Sequence, residues 1–367
     1  MACSDFGGQA FFKGGTSLSK AYGLINRFSE DLDMLVYSGD VNASKTQEKT
    51  LNKRVCDLIV QNNENIYKPE LSKTGGNFRK LYFDYDNNFQ GVGLKQNLEV
   101  EIKACDFPDK TKIYYPTENR TIVPIIGTFL KEIGKEELAE KYGVTPFTVN
   151  CINPRKTICD KVSRLVKLSH RENPIEEFSK HIRDFYDLHA ILSVEEYRAF
   201  LHSDEFLDAL YRTTLEDRLM KNSQTDKPLN EAVIFSDTEK IIFHPDIQKA
   251  YNESLKKLFF NGKAMPSLQE IKKTIDEIAG RMAPFEEYRK EMENSIGPQK
   301  EHVYTKISIY TDLTGRMNIC CKVDDVQQMG VKLSSDDAKK YNDSLKSGNK
   351  EELERLRQEF AARYFGG

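Results

Sequence analysis

The chain has 367 residues, 39% of them hydrophobic, and 54 Lys and Arg against 57 Asp and Glu give it a net charge of −3. That length accommodates two or three domains, each with its own core, and the near-neutral balance excludes a protein that coats nucleic acid through many cation–phosphate contacts, while leaving room for a local basic patch. No apolar run is long enough to span a bilayer and the N-terminus lacks the basic-then-apolar order of a secretory signal, so no membrane association and a cytoplasmic location are expected.

The seven cysteines include no Cys-x-x-Cys pair and have no histidine at zinc spacing, which predicts reduced, mostly buried thiols. Without tryptophan, any base stacking falls to Tyr, Phe or Arg. There is no internal repeat.

The apolar run Ala10-Phe11-Phe12 predicts a short buried strand, Gly14-Gly15 a tight turn, and Thr16 or Ser17 the N-cap of a helix carrying Leu18, Tyr22 and Ile25. Such a turn into a helix presents backbone N–H groups suited to a triphosphate. In Asp31-Leu32-Asp33-Met34-Leu35-Val36, period two sends Leu32, Met34 and Val36 to the core and Asp31 with Asp33 to the opposite face. Two hard oxygen ligands one strand repeat apart suit Mg2+ (or Mn2+) bridging nucleotide phosphates.

Leu51, Val55, Leu58 and Ile59 mark an amphipathic helix between Val41 and Val60. Two strands follow, Phe78 to Tyr85 and Leu98 to Ile102, with a loop containing Gly91 and Gly93 that suits antiparallel neighbours. Glu99 and Glu101 share the polar face of the second strand.

Pro154 to Arg171 reads as a helix with Pro in its first turn, an apolar stripe of Ile158, Val162, Leu165 and Val166, and a basic stripe of Lys161, Arg164, Lys167 and Arg171. A second helix is expected over Phe178 to Leu192, with Phe178, Ile182, Phe185, His189 and Leu192 inward and Asp184 and Asp187 grouped on another side. His189 reads as a core histidine, and His170, His181, His189 and His244 form no metal set. Segments around 195–219, 247–260 and 268–292 look helical. Ser295-Ile296-Gly297-Pro298 then breaks the chain, and Val303, Ile307 and Ile309 with Met317, Ile319, Cys321 and Val323 flank Asp312-Leu313-Thr314-Gly315 as a hairpin. Lys350 to Tyr364 closes as an amphipathic helix.

Gly14-Gly15-Thr16-Ser17-Leu18-Ser19-Lys20, then Arg27-Phe28-Ser29-Glu30-Asp31-Leu32-Asp33, then Lys161, then Arg183-Asp184-Phe185-Tyr186-Asp187-Leu188 stand in an order that resembles the AbiEii-type abortive-infection nucleotidyltransferase toxins. These are the toxin half of type IV toxin-antitoxin pairs, within the polymerase-beta-like nucleotidyltransferases. The resemblance runs from Gly14 to about Leu192. It implies an α+β fold: a polymerase-beta-like core with a small mixed sheet and flanking helices over residues 1–153, then a helical domain over 154–297 supplying Lys161 and Asp184. Residues 298–367 read as a small extra strand-helix domain that the resemblance does not cover.

The resemblance also implies roles. Asp31, Asp33, Lys161 and Asp184 are the expected catalytic residues, and Gly14, Gly15, Thr16, Ser17, Arg27, Ser29 and Arg183 the expected nucleotide-binding ones. Asp31 and Asp33 hold the metal, with Glu99 or Glu101 as a third ligand. Asp184 either orients Lys161 or Arg183 or acts as a general base. The implied reaction is Mg2+-dependent transfer of a nucleoside monophosphate from an NTP to an RNA acceptor, tRNA being the implied class, with a cognate antitoxin as protein partner. Control through a phosphate on Ser29 is implied as well; the local reading of Ser29 is a strand-entry hydroxyl bonded nearby. Two other readings stand beside this one: a protein side chain as the acceptor, or an idle NTP-binding module, the latter disfavoured by keeping mutually repelling carboxylates together. Family members usually carry helices before the first strand, whereas roughly eight residues precede it here, so the chain is expected to be N-terminally short.

Overall fold

A computed structural model describes residues 6, 8–29, 31–84, 97–105, 113–219, 229–260, 263–295, 304–312, 315–323, 326–327 and 330–365. The chain divides into two compact units, Met1–Arg289 and Lys290–Gly367. Both are built from strands and helices, and the fold class is α+β.

The first unit is organised by six strands: β1 (Ala10–Lys13), β2 (Asp31–Val36), β3 (Phe78–Asp84), β4 (Asn97–Ala104), β5 (Thr117–Ile122) and β6 (Phe147–Ile152). They form a mixed sheet in the order β3-β4-β2-β1-β6-β5. The expected antiparallel pairing of β3 with β4 is present, β2 runs parallel to β4, and β1 lies antiparallel to β2 and parallel to β6.

Period two divides the two faces of this sheet. Val36, Leu81, Val100 and Ile102 point to one side, where Leu51 and Val55 of the helix α2 (Lys45–Gln61) cover them. Each such aliphatic side chain, fully buried, contributes about 1.5–3 kcal/mol, so this face anchors the strands' register. A capping box between Ser44 and Gln47 starts α2. The opposite face carries Asp31, Asp33, Glu99 and Glu101.

The connection from β1 is tighter than the sequence suggests. There is no separate turn: the helix α1 (Gly14–Lys20) begins at Gly14 itself, directly after β1, with Lys13 as an N-cap that makes no side-chain bond. Thr16 and Ser17 therefore lie inside the helix, and Tyr22 and Ile25 lie beyond its end. The strand can turn so abruptly because Gly14 takes φ +74°, a conformation open to glycine at little cost.

Between β5 and β6 come α3 (Ile125–Glu132) and α4 (Glu136–Lys141). After β6, the Asn153 side chain accepts the Arg155 N–H and Pro154 opens α5 (Pro154–Ser169), whose apolar stripe is buried as expected. The second predicted helix is instead two, α6 (Pro174–Lys180) and α7 (Ile182–Leu192), with a corner at His181. There the backbone leaves the helical range at φ −106°, ψ 24°, and Phe178 packs edge-on against Phe185 across the corner with ring centroids 5.8 Å apart. Further helices occupy Glu195–Leu201, Asp204–Leu219 and Leu268–Gly280, the last separate from Met282–Ser295, while the 247–260 stretch winds as successive α, π and 3-10 turns. His189 packs in this helical layer with Nδ1 2.8 Å from the Thr274 hydroxyl.

In the second unit, β7 (Tyr304–Thr311) and β8 (Met317–Val323) form the expected antiparallel pair, and β9 (Val326–Gln327) and β10 (Val331–Lys332) both pair with β8. Leu313 and Thr314 of the hairpin signal, and Val303, lie outside the described residues. Ile319, Cys321, Tyr341, Leu356 and Phe360 make its core, joining the sheet to the helices Ser335–Ser347 and Lys350–Phe365. Among the described residues the cysteines are free thiols and no helix is long and apolar enough to cross a membrane.

Candidate active site

The site begins at the junction of β1 and α1. Antiparallel pairing sets Lys13 opposite Asp33. A β-carbon on Gly14 would lie 2.1 Å from Asp33 Oδ2, and one on Gly15 would lie 2.8 Å from Ser29 Oγ and 3.0 Å from a guanidinium nitrogen of Arg27. Both glycines are required by the close approach of these side chains. The Thr16 hydroxyl donates to the Asp31 carbonyl, which ties the first turn of α1 to the start of β2. Ser17, expected to bind nucleotide, is 0% exposed. Thr16, Lys20, Phe28, Ser29 and Phe260 line a small recess beside the turn.

Parallel pairing of β2 with β4 sets Asp31 opposite Glu99 and Asp33 opposite Glu101. Four carboxylates thus occupy two adjacent rows on one face. From β3, Lys80 forms ion pairs with Glu99 and with Glu101, the latter at 2.6 Å. Burial raises the Asp33 carboxyl, against the pull of Lys13 and with a push from Asp31; burial likewise raises Glu101, to which Asp33 adds. Charges that repel in this way are what a bound divalent cation relieves. Among the described residues no three potential ligands already stand as a metal shell. The donor type and the shared face nevertheless fit a hard divalent cation.

Two helices complete the site. Lys161 Nζ on α5 lies 2.5 Å from Asp184 Oδ1 and 2.8 Å from Asp187 Oδ2, both on α7. Arg164, one turn further along α5, reaches Asp184 at 3.1 Å. Arg27 grips Asp187 with two parallel bonds, Nε to Oδ1 at 2.7 Å and Nη2 to Oδ2 at 2.6 Å. Burial opposes charge on both aspartates, yet Lys161 with Arg164 at Asp184, and Lys161 with Arg27 at Asp187, outweigh it and hold both carboxyls below the usual range. The network is locked from outside by the Asn26 N–H, which donates to the Tyr186 hydroxyl at 2.9 Å. It also reaches the carboxylates, because the charges of Lys161 and Arg164 both act on Asp33.

The structure therefore brings together Gly14, Gly15, Thr16 and Ser29 at the start of α1 with Asp31, Asp33, Glu99 and Glu101 on the paired strands β2 and β4, and Lys161, paired with Asp184, acts on Asp33 from α5. Arg27 is buried against Asp187, and Arg183 is half-buried, one residue and about 100° around α7 from Asp184. The second cation on Asp184 is Arg164. The part played by Asp187 was missed, as were those of Arg164, Lys13 and Lys80. The spacing held the signal: Asp184 with Asp187, and Lys161 with Arg164, are i,i+3 pairs that face one way on their helices.

Residues 1–311 match the family model described as the nucleotidyl transferase AbiEii toxin of type IV toxin-antitoxin systems. The chain belongs to this family. It is a nucleotidyltransferase of the toxin class. Among solved structures it is similar to MenT4, a nucleotidyltransferase toxin from Mycobacterium tuberculosis H37Rv, at 19% identity over 78% of this chain and 84% of that one, with a TM-score of 0.45. No curated protein matches it in sequence. The family match takes in the glycine junction, the carboxylate rows and the Lys161–Asp184 pair, and it reaches into the second unit as far as β7.

Proposed function

We propose that this toxin transfers a nucleoside monophosphate from an NTP to a terminal hydroxyl of an RNA acceptor, tRNA being the class implied, in a Mg2+-dependent reaction in the cytoplasm, under the control of a cognate antitoxin. The observation that supports the reading is the gathering at Asp33: Gly14 makes room for its carboxylate, and register sets Asp31, Glu99 and Glu101 beside it on one face.

In this reaction the acceptor oxygen attacks the α-phosphorus while the bond to pyrophosphate breaks, and the protein's contribution is positioning and charge. Asp31 and Asp33, with one of Glu99 and Glu101, are the residues to hold the cation. A cation held there would supply neutralisation of the charge that grows on the phosphates in the transition state. The backbone N–H groups of the Gly14-Gly15 junction, with Thr16 in the first turn of α1, are the groups suited to the β and γ phosphates. Lys161 offsets charge on the leaving pyrophosphate, which matters most where water is excluded. Asp184, twice ion-paired and held below the ordinary carboxyl range, is suited to orienting Lys161 and poorly suited to taking a proton near neutral pH. Arg27, through Asp187, holds the other side of the same lysine.

Ser29 offers a route for control. A phosphate on its Oγ brings about two negative charges beside Gly15 and Asp31, where the nucleotide phosphates belong.

The test is incubation with each labelled NTP, Mg2+, and either total tRNA or a cell protein extract. Label is expected in the RNA; label in protein, or none in either, overturns the proposal.

A further inference from the structure

A second polar feature adjoins the site and takes no part in the reaction as described. A pocket of about 170 Å³ lies between the sheet and α5, lined by Lys13, Lys103, Lys156, Arg164 and Lys167. Asp160 and Glu216 are the acidic residues in its wall, so five cations face two carboxylates. We propose that this pocket is a phosphate-binding subsite for the acceptor nucleic acid, holding a backbone phosphate next to the reacting end; the inference rests on the transferase reading above.

The floor of the pocket is built in advance. Glu216 accepts from the Tyr115 hydroxyl at 2.6 Å, from Lys156 at 3.0 Å and from Lys103 at 3.3 Å. Lys156 is buried, pairs also with Asp160 at 2.8 Å, and donates to the Thr213 hydroxyl at 3.1 Å. Asp160 and Glu216 keep the Lys156 ammonium charged against its burial and hold it in place. Arg164 also pairs with Asp184 outside the lining, yet basic side chains outnumber acidic ones around the pocket, which suits an anion. The volume is that of about five or six waters, enough for a phosphate group.

Register says which substrate the anion belongs to. Leu35 and Lys103 line the pocket and lie two residues past Asp33 and Glu101 on the same face, one strand repeat or about 7 Å away. The glycine junction lies at the other end of the same row: Gly14 meets Asp33, Thr16 reaches the Asp31 carbonyl and Gly15 meets Ser29. The pocket and the proposed triphosphate cradle therefore flank Asp33 on opposite sides along β2. In-line transfer requires attacking and leaving groups on opposite sides of the phosphorus, so if the NTP phosphates occupy the glycine side, the pocket side is left for the acceptor.

The test compares Lys167→Gln and Lys103→Gln with the wild-type protein in three measurements. Affinity for a labelled single-stranded RNA is expected to fall about five- to tenfold in each variant, and the slope of log K against log salt to drop by about 0.7. KM for the NTP is expected to stay within about twofold. Inorganic phosphate, without divalent metal, is expected to raise the Tm of the wild type and to do so less in the variants. Unchanged RNA affinity in both folded variants overturns the proposal, as does a rise in NTP KM without a loss of RNA affinity, which would give the pocket to the nucleotide. Failure of the transferase reading registers separately, as absence of label transfer in a wild-type protein that inorganic phosphate still stabilises.

Discussion

The carboxylate of Asp33 occupies the space that any side chain on Gly14 would need, with 2.1 Å between Oδ2 and the position of a β-carbon. This contact couples the shape of the strand-to-helix junction to a candidate metal ligand. Gly14→Ala should be costly twice. Its left-handed φ of +74° is unfavourable by about 1–2 kcal/mol for a residue with a β-carbon, and the methyl group must push Asp33 aside. A displacement near 1 Å at a reacting centre lowers rates about 100-fold, so label transfer is expected to fall at least that far while the variant still folds with a reduced Tm. Near wild-type transfer by Gly14→Ala would show that the Asp33 position is not critical.

Asp33→Ala separates chemistry from folding. Asp33 is raised by burial and by Asp31, so its charge is a burden on the metal-free protein. The expectation is loss of transfer beyond detection, with a urea midpoint equal to or above that of the wild type. Global unfolding of the variant would instead assign Asp33 a structural role.

The two rows of carboxylates give a further distinction. Glu101 is directly opposite Asp33, whereas Glu99 is opposite Asp31 and is more deeply buried. Glu101 is therefore the expected third ligand: Glu101→Gln should lose transfer by about 100-fold or more, on the scale seen when one preorganised charged contact is removed, and Glu99→Gln by less than about tenfold. Lys80→Met, which removes the cation standing between the glutamates, should tighten Mn2+ binding in a calorimetric titration.

Legibility in the sequence followed range and periodicity. β2, β4, α2 and α5 could be read because their side chains alternate or recur with one buried face, and the family motifs pointed to the stretches that hold Asp31, Asp33, Lys161 and Asp184. Pairings between distant elements left weaker traces. Arg27 lies 160 residues from Asp187, and neither residue type reveals that its charge is spent inside the fold. The corner at His181 was invisible for a related reason: Phe178, Ile182 and Phe185 keep helical spacing across it, so the apolar pattern continues where the backbone does not. Ser17 shows the converse, since nothing in a glycine-rich motif reveals that its hydroxyl is buried until the helix is known to begin at Gly14, three residues before it.

Asp187 should behave as a structural member of the site. It is 0% exposed and compensated by Arg27 and Lys161, so removing it leaves two buried cations without their shared partner. Asp187→Ala is expected to lower stability by about 3–5 kcal/mol in urea unfolding, and Asp184→Ala by less, because Arg164 is half-exposed and can turn to water.

The same aspartates contribute to the acid sensitivity of the fold. Both carboxyls are held below their ordinary value in the folded protein by adjacent cations, despite burial, whereas in the unfolded chain they titrate near about 3.9. The unfolded state consequently binds more protons below that pH, and stability must fall as the medium becomes more acid. The contribution is fully present above about pH 5 and is lost progressively as pH drops through about 4 toward the folded values. Urea midpoints measured between about pH 2.5 and 7 should therefore be level at the neutral end and decline steeply below about pH 4. In Asp187→Asn, which cannot titrate, that acid decline should be shallower by the share of one group, even though the variant is less stable at neutral pH. An acid slope identical to that of the wild type would mean that Asp187 is not ionised in the folded protein and that Arg27 and Lys161 are balanced by other groups.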